Sequence, residues 1–318
     1  MNLGRAHLID PRLLPLVEPT SEFYANRPAG QGPANMDELL AVRARLSDPT
    51  PADPPAVEEV ASAGGRSVPV RIHEPVGAPS SGVVLQLHGG GFYLGTAAGS
   101  DVRNRRLADA LGVTVVGVDH RLAPEHPWPA APDDCETAAL WIAEHLAERF
   151  GTSRFAIGGF SAGSTLAVTT LLRLRDRGVD VVDAAVLQFG TYDLSARTPA
   201  GRLIADEFFI AAYAGNAPDR TVPDLSPVYA DLTGLPPVLM VVGEADVLLA
   251  DNLAMAAHLS VAGVDVDLRL YPDAPHAFTG HPTPMAQAAL DDIDSWLARY
   301  LRSPQAAEPV TPGGLARQ

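Results

Sequence analysis

Gly159-Phe160-Ser161-Ala162-Gly163 fits G-x-S-x-G, the pattern of a serine nucleophile on a sharp turn between a strand and a helix. Arg154–Gly158 reads as the strand entering that turn, and Ser164–Val168 opens a helix after it. Taken alone, the pattern also describes a glycine-rich turn with an ordinary helix-capping serine, so the context has to decide. A nucleophilic serine there must adopt a strained backbone, and the flanking glycines let sheet and helix approach closely. The helix N-terminus would favour negative charge beside Ser161.

A hydrolytic serine needs backbone N–H donors aimed at the developing oxyanion. His88-Gly89-Gly90-Gly91-Phe92 follows the apolar run Val83–Leu87 and suits that task, because glycines leave the main chain unobstructed. The donors are assigned to Gly89, Gly90 and Ala162. A phosphate-cradling loop is the competing use of such glycines. It lacks the lysine of a Walker loop and the spacing of G-x-G-x-x-G. His88 ends a strand and is expected to tie down the loop rather than act chemically.

An acid and a base should follow in that order, each just beyond a strand. Asp246 follows Val238–Val242 and His276 follows Val266–Tyr271. Glu244 and Asp251 are rivals for the acid, with Asp251 better suited to capping or supporting the loop. His281 is the rival base, further from the strand end among prolines. His7 and His73 lie ahead of the other elements, and His145 and His258 fall in helical stretches. Ser161, His276 and Asp246 then form a nucleophile, general base and orienting acid, a mechanism that needs no metal and no organic cofactor.

Positioning these residues calls for a row of buried parallel strands. Short apolar runs at Val83–Leu87, Val113–Val118, Phe155–Gly159, Ala184–Phe189, Val238–Val242 and Val266–Tyr271 fit that role. Helical stretches over about 100–111, 134–149, 162–177, 248–262 and 285–302 separate them. Val57–Ala61 and Val68–His73 read as a hairpin through Gly64-Gly65. The pattern is α/β with a mostly parallel sheet, and the catalytic unit spans 57–302. Residues 1–56 are proline-rich, with helix signals at Asp10-Pro11 and Met36–Leu46 and a loop-like stretch at Phe23 and Tyr24. The long connection of about 190–235, with helical Arg202–Ala214, reads as an insertion of the lid type. Residues 303–318 are expected to be disordered.

Composition narrows the field further. All 23 basic residues are arginine, which removes Schiff-base chemistry and every lysine-dependent phosphate loop. A single cysteine, Cys135, precludes an intrachain disulfide and a cysteine zinc cage. The net charge of −15 argues against a nucleic-acid partner. The N-terminus lacks the apolar run of a signal peptide and no run is long enough for a membrane span, so a cytoplasmic protein is expected.

The run His88–Phe92, the stretch Asp119-His120-Arg121-Leu122-Ala123-Pro124-Glu125-His126-Pro127-Trp128-Pro129-Ala130, the motif Gly159–Gly163, Ser226-Pro227 and Leu235-Pro236-Pro237 together resemble the hormone-sensitive-lipase-like esterases. The resemblance covers about residues 57–302. It implies an α/β-hydrolase fold with a mostly parallel eight-stranded sheet flanked by helices. It also implies a helical cap from residues 1–56 and from the insertion after the sixth strand. Hydrolysis of short to medium acyl esters of small molecules follows, as does a possible homodimer through an exposed last strand or helix. In the family the Asp119–Ala130 loop is structural, so Asp119 and Arg121 are carried over as supports of the oxyanion loop. The chain departs from the family in having Phe160 and Ser164 around the nucleophile, where aspartate and glycine are usual, and His120 for tyrosine. An aromatic before the serine recurs in other carboxylesterase-like hydrolases, aryl-formamide hydrolases among them.

Phe92, Tyr93, Phe160, Phe208, Phe209 and Tyr213 are the candidate lining of an apolar substrate site, and packing of the cap onto the core would use the same aromatics. Asp206 and Glu207 in that segment would disfavour anionic substrates. An amide or lactone hydrolase or an acyl transferase could use the same triad. A non-catalytic receptor on this fold is disfavoured by the presence of His276.

Overall fold

In the computed structural model, residues 8–25, 27, 32–45, 49–204 and 207–302 are described. The tail 303–318, Asp206 and His7 lie outside them. Eight strands form one sheet in the order β1-β2-β4-β3-β5-β6-β7-β8. They are β1 (Val57–Ala63), β2 (Arg66–His73), β3 (Val83–Leu87), β4 (Thr114–Val118), β5 (Phe155–Phe160), β6 (Ala184–Gln188), β7 (Val238–Gly243) and β8 (Val266–Tyr271). Only the β1–β2 and β2–β4 pairings are antiparallel. The register Leu87↔Gly159, Phe160↔Gln188 and Gly243↔Tyr271 brings the C-terminal ends of β3, β5, β6, β7 and β8 to one edge.

The near-continuous apolar runs arise because helices cover both faces, so successive residues enter two different cores. Val83, Leu85 and Leu87 join one core while Val84 joins the other, and Val238 and Met240 alternate in the same way with Leu239 and Val241. The helices in chain order are α1 (Val17–Ala25), α2 (Met36–Arg45), α3 (Asp101–Leu111), α4 (Ala130–His145), α5 (Ala162–Asp176), α6 (Phe208–Ala214), α7 (Leu249–Val261) and α8 (Pro284–Leu301). Ala138 of α4, Leu166 of α5 and Leu259 of α7 pack on the first face. Leu107 of α3 and Ile293 and Trp296 of α8 pack on the second.

Four expectations change. Phe23 and Tyr24 lie in α1 rather than in a loop. Pro19 sits in the first turn of that helix, where a missing N–H costs nothing, so proline marks a helix start there and not a break. Helix α4 spans Ala130–His145 rather than 134–149, for the same reason at Pro132. The helix expected over Arg202–Ala214 is a 3-10 turn at Gly201–Ile204 and the short α6. The last strand is not a free edge, because Ile9 forms a parallel bridge to Leu270 of β8.

Asp10 caps the turn Pro11–Leu16 by accepting from the Arg12 amide at 3.0 Å, and the Arg12 guanidinium binds Asp292 of α8. The insertion is clamped at Asp224, which accepts from Trp128 Nε1 and from Arg173 Nε and Nη2, each at 2.7 Å.

Candidate active site

Ser161 stands between β5 and α5 with φ 54° and ψ −120°, a conformation unusual for a residue with a side chain. Its amide donates to the Gln188 carbonyl at 2.9 Å, which ties the turn to β6. Glycine is required on either side. A Cβ on Gly159 would stand 2.4 Å from the Gly163 carbonyl oxygen, and one on Gly163 would stand 2.0 Å from the Leu87 oxygen.

Ser161 Oγ lies 2.9 Å from His276 Nε2, and His276 Nδ1 lies 3.0 and 3.1 Å from the two oxygens of Asp246. A proton on Nδ1 donated to Asp246 leaves Nε2 bare to accept the serine O–H. Asp246 is 5% exposed and also accepts from the Leu248 amide at 2.8 Å, so its carboxylate is held from both sides. The His276 ring meets the edge of Phe189 at 5.2 Å, and Phe189 reaches that place through φ 40°. Gly243 belongs to no motif in the sequence, yet a Cβ there would stand 2.0 Å from the Ala274 oxygen. The loop carrying His276 crosses directly over it.

Of the three glycines of the His88–Leu94 loop, Gly89 lies against the serine turn. A Cβ on Gly89 would fall 2.5 Å from the Phe160 oxygen and 3.1 Å from Ser161 Cβ. Gly90 takes φ 115°, and its carbonyl accepts from the Leu94 amide at 2.8 Å. Gly91, at φ 59°, faces Phe209. The Ala162 amide opens α5 and so has no carbonyl four residues back within the helix.

His88 donates from Nδ1 to the Gly89 carbonyl at 2.8 Å and stacks on His120 at 4.0 Å. Burial depresses the pKa of both rings and keeps them neutral. Asp119 accepts from the Ala97 amide at 2.9 Å, and Arg121 pairs with Asp134 at 2.8 Å. The direct brace between the two loops is the Ala123 amide, which donates to the Phe92 carbonyl at 2.9 Å.

The rivals are engaged elsewhere. Asp251 is 1% exposed and accepts from the Tyr192 amide, with burial pushing its pKa up to about 6. His281 is held by the Tyr24 hydroxyl at 2.8 Å, and burial lowers its pKa.

The aromatics divide by exposure. Phe92 and Tyr213 are each 1% exposed and stack at 4.0 Å, and Tyr93 is 4% exposed, so these three pack the loop onto α6. Phe208 and Phe209 remain partly exposed above them. Phe160 points away from this group, with the Arg103 guanidinium over its ring and Phe189 at its edge.

A family model described as the alpha/beta hydrolase fold matches residues 84–280. The carboxylic ester hydrolase LipN of Mycobacterium tuberculosis is 31% identical over 304 residues, covering 87% of this chain and 80% of that protein. An ethyl acetate hydrolase of Pseudomonas putida is 34% identical over 230 residues, covering 67% of this chain and 72% of its own. Among solved structures, a bacterial heroin esterase is similar with a TM-score of 0.79 and 30% identity, covering 91% of this chain and 99% of that one. No helix among the described residues is long and apolar enough to cross a membrane. With this sheet and this match over most of its length, the chain belongs to the hormone-sensitive-lipase-like esterases of the α/β-hydrolase superfamily, a family of carboxylic-ester hydrolases.

Proposed function

We propose that this carboxylic-ester hydrolase works through Ser161, His276 and Asp246 on neutral esters with short to medium acyl chains, in the cytoplasm. The observation that carries the assignment is the unbroken row from Ser161 Oγ to His276 Nε2 and from His276 Nδ1 to Asp246. All three residues come from one chain, so the chemistry does not depend on a homodimer.

Ser161 Oγ bonds to the ester carbonyl carbon as its proton passes to His276 Nε2. The amides of Gly89, Gly90 and Ala162 stabilise the resulting oxyanion. Collapse breaks the bond to the alcohol oxygen, which takes the proton from His276 and leaves an acyl-serine. Water then attacks, its proton going to His276, and the acid departs as Ser161 is restored. Phe208 and Phe209 supply the apolar wall for acyl or alcohol groups.

Hydrolysis of p-nitrophenyl esters from acetate to octanoate, beside matched anilides and lactones, tests this. The shorter esters should turn over fastest, and Ser161→Ala should lose activity by about 10⁴-fold or more. A folded wild-type chain inactive on every ester would overturn it, and faster anilide or lactone turnover would reassign the substrate class.

A further inference from the structure

Gln188 ends β6 beside the serine turn and belongs to none of the sequence motifs. Its main chain serves that turn. The Gln188 carbonyl accepts from the Ser161 amide and from the Ser164 hydroxyl, each at 2.9 Å. The Ser164 hydroxyl thereby holds the first turn of α5 to the end of β6. The Gln188 side chain reaches the other way. Its Oε1 accepts from Thr279 Oγ1 at 2.8 Å, and the two residues are buried, at 5% and 4% exposure.

Thr279 stands beyond His276 in the 3-10 turn Phe278–Gly280. Between them Ala277 takes φ 61°, a left-handed conformation that a residue with a Cβ holds only when its surroundings impose it. Among the described residues, the stretch 275–280 hydrogen-bonds to other elements at two places, the His276 ring and the Thr279 hydroxyl. The residue after Gln188 adds an apolar seat. Phe189 meets the His276 ring at 5.2 Å and the Phe278 ring at 6.1 Å. The end of β6 therefore carries both the serine turn and the turn that presents the histidine.

A nucleophile and its base work at one separation, and a misplacement of about 1 Å costs on the order of 10²-fold in rate. Ser161 Oγ and His276 Nε2 are 2.9 Å apart, although 115 positions separate them in the chain. We propose, on the assignment of Ser161 and His276 as nucleophile and base, that Gln188 is a positioning residue that sets this separation. Its carbonyl fixes the serine turn, and its amide oxygen fixes Thr279 and with it the histidine turn. Gln188 acts through these two turns, so its loss lowers turnover and leaves substrate affinity alone.

Steady-state hydrolysis of p-nitrophenyl butyrate by the full chain tests this role. Competent Ser161 is counted by end-point titration with a p-nitrophenyl alkylphosphonate, so a variant that folds less well still reports its rate per working serine. Gln188→Met keeps the main-chain bonds and the bulk, and Thr279→Val keeps the shape without the hydroxyl. Each should lower kcat per titrated serine by about 10-fold with KM within about 2-fold. Thr279→Ser should recover most of the loss. The double variant should lose about as much as the worse single one, because both changes remove one bond. Unchanged kcat per titrated serine in the single variants, a rise in KM in its place, no recovery in Thr279→Ser, or losses that multiply in the double variant would each overturn the proposal. A wild-type chain that hydrolyses the ester without phosphonate labelling at Ser161, or an active Ser161→Ala, would overturn the triad assignment and this role with it.

Discussion

Arg43 of α2 donates its Nε–H to the carbonyl of Tyr93 at 2.9 Å. The same guanidinium reaches the Ala123 carbonyl at 2.6 Å and Glu125 at 2.7 Å. One side chain from the N-terminal segment therefore joins the loop carrying Gly89 and Gly90 to the Asp119–Ala130 loop. Amide donors stabilise an oxyanion to the extent that they are already in place when charge develops. That makes Arg43 a positioning residue for the proposed reaction.

Arg43→Ala should lower kcat by about 10-fold with KM within about 2-fold, because oxyanion geometry is lost before substrate contact. Affinity for an alkyl boronic acid should fall in parallel. Arg43→Lys should recover part of the loss, since an ammonium lacks the fork that reaches both carbonyls. Added guanidinium at millimolar concentration should partly rescue the alanine variant. A rise in KM alone would show that Arg43 shapes the substrate site instead.

Asp246→Asn should leave the fold intact and reduce kcat by about 10⁴-fold, because an amide at that place favours the wrong imidazole tautomer. Steady-state kinetics and circular dichroism measure the two effects. Retention of more than a tenth of the activity would shift the acid role to another carboxylate.

Asp251 should behave in the opposite way, affecting stability and not turnover. Its folded pKa of about 6 lies above the ordinary value of 3.8, so the folded chain holds the proton more tightly than the unfolded one. The stabilisation from the neutral carboxyl is complete below about pH 4 and lost as pH rises through 6, an effect of about 2–3 kcal/mol. Asp251→Asn keeps an acceptor for the Tyr192 amide without the charge. The Tm of the variant relative to wild type should therefore be higher at pH 8 than at pH 5. An equal difference at both pH values would show that Asp251 does not titrate in this window.

Asp224→Ala leaves Arg173 and Trp128 Nε1 without their shared acceptor. Stability should fall by about 2–4 kcal/mol, since one partner of a half-buried charged network is removed. Urea unfolding reports the loss, and faster proteolysis within 195–222 would place it in the insertion. Unchanged cleavage there would show that the insertion is held by its apolar contacts alone.

Much of the scaffold was legible because its signals are local. Val83–Leu87 and Val238–Val242 read as two-sided strands because they are apolar throughout except at Gln86, as strands with helices on both faces tend to be. The helix around Phe23 and Tyr24 is not legible in the sequence, because proline density alone does not separate a loop from a helix with proline in its first turn.

By itself, the sequence determined the turn at Ser161 and the glycines beside it, along with the strand-then-residue placement of Asp246 and His276. Those features are written into backbone requirements that only certain residue types meet. Tertiary structure decided what depends on residues far apart in the chain. It set Asp246 rather than Asp251 against His276, buried Phe92 against Tyr213 while leaving Phe208 and Phe209 partly open, and brought Arg43 to Tyr93. A side chain's partners and burial are settled by which elements pack together, and no local pattern around these residues specifies that packing.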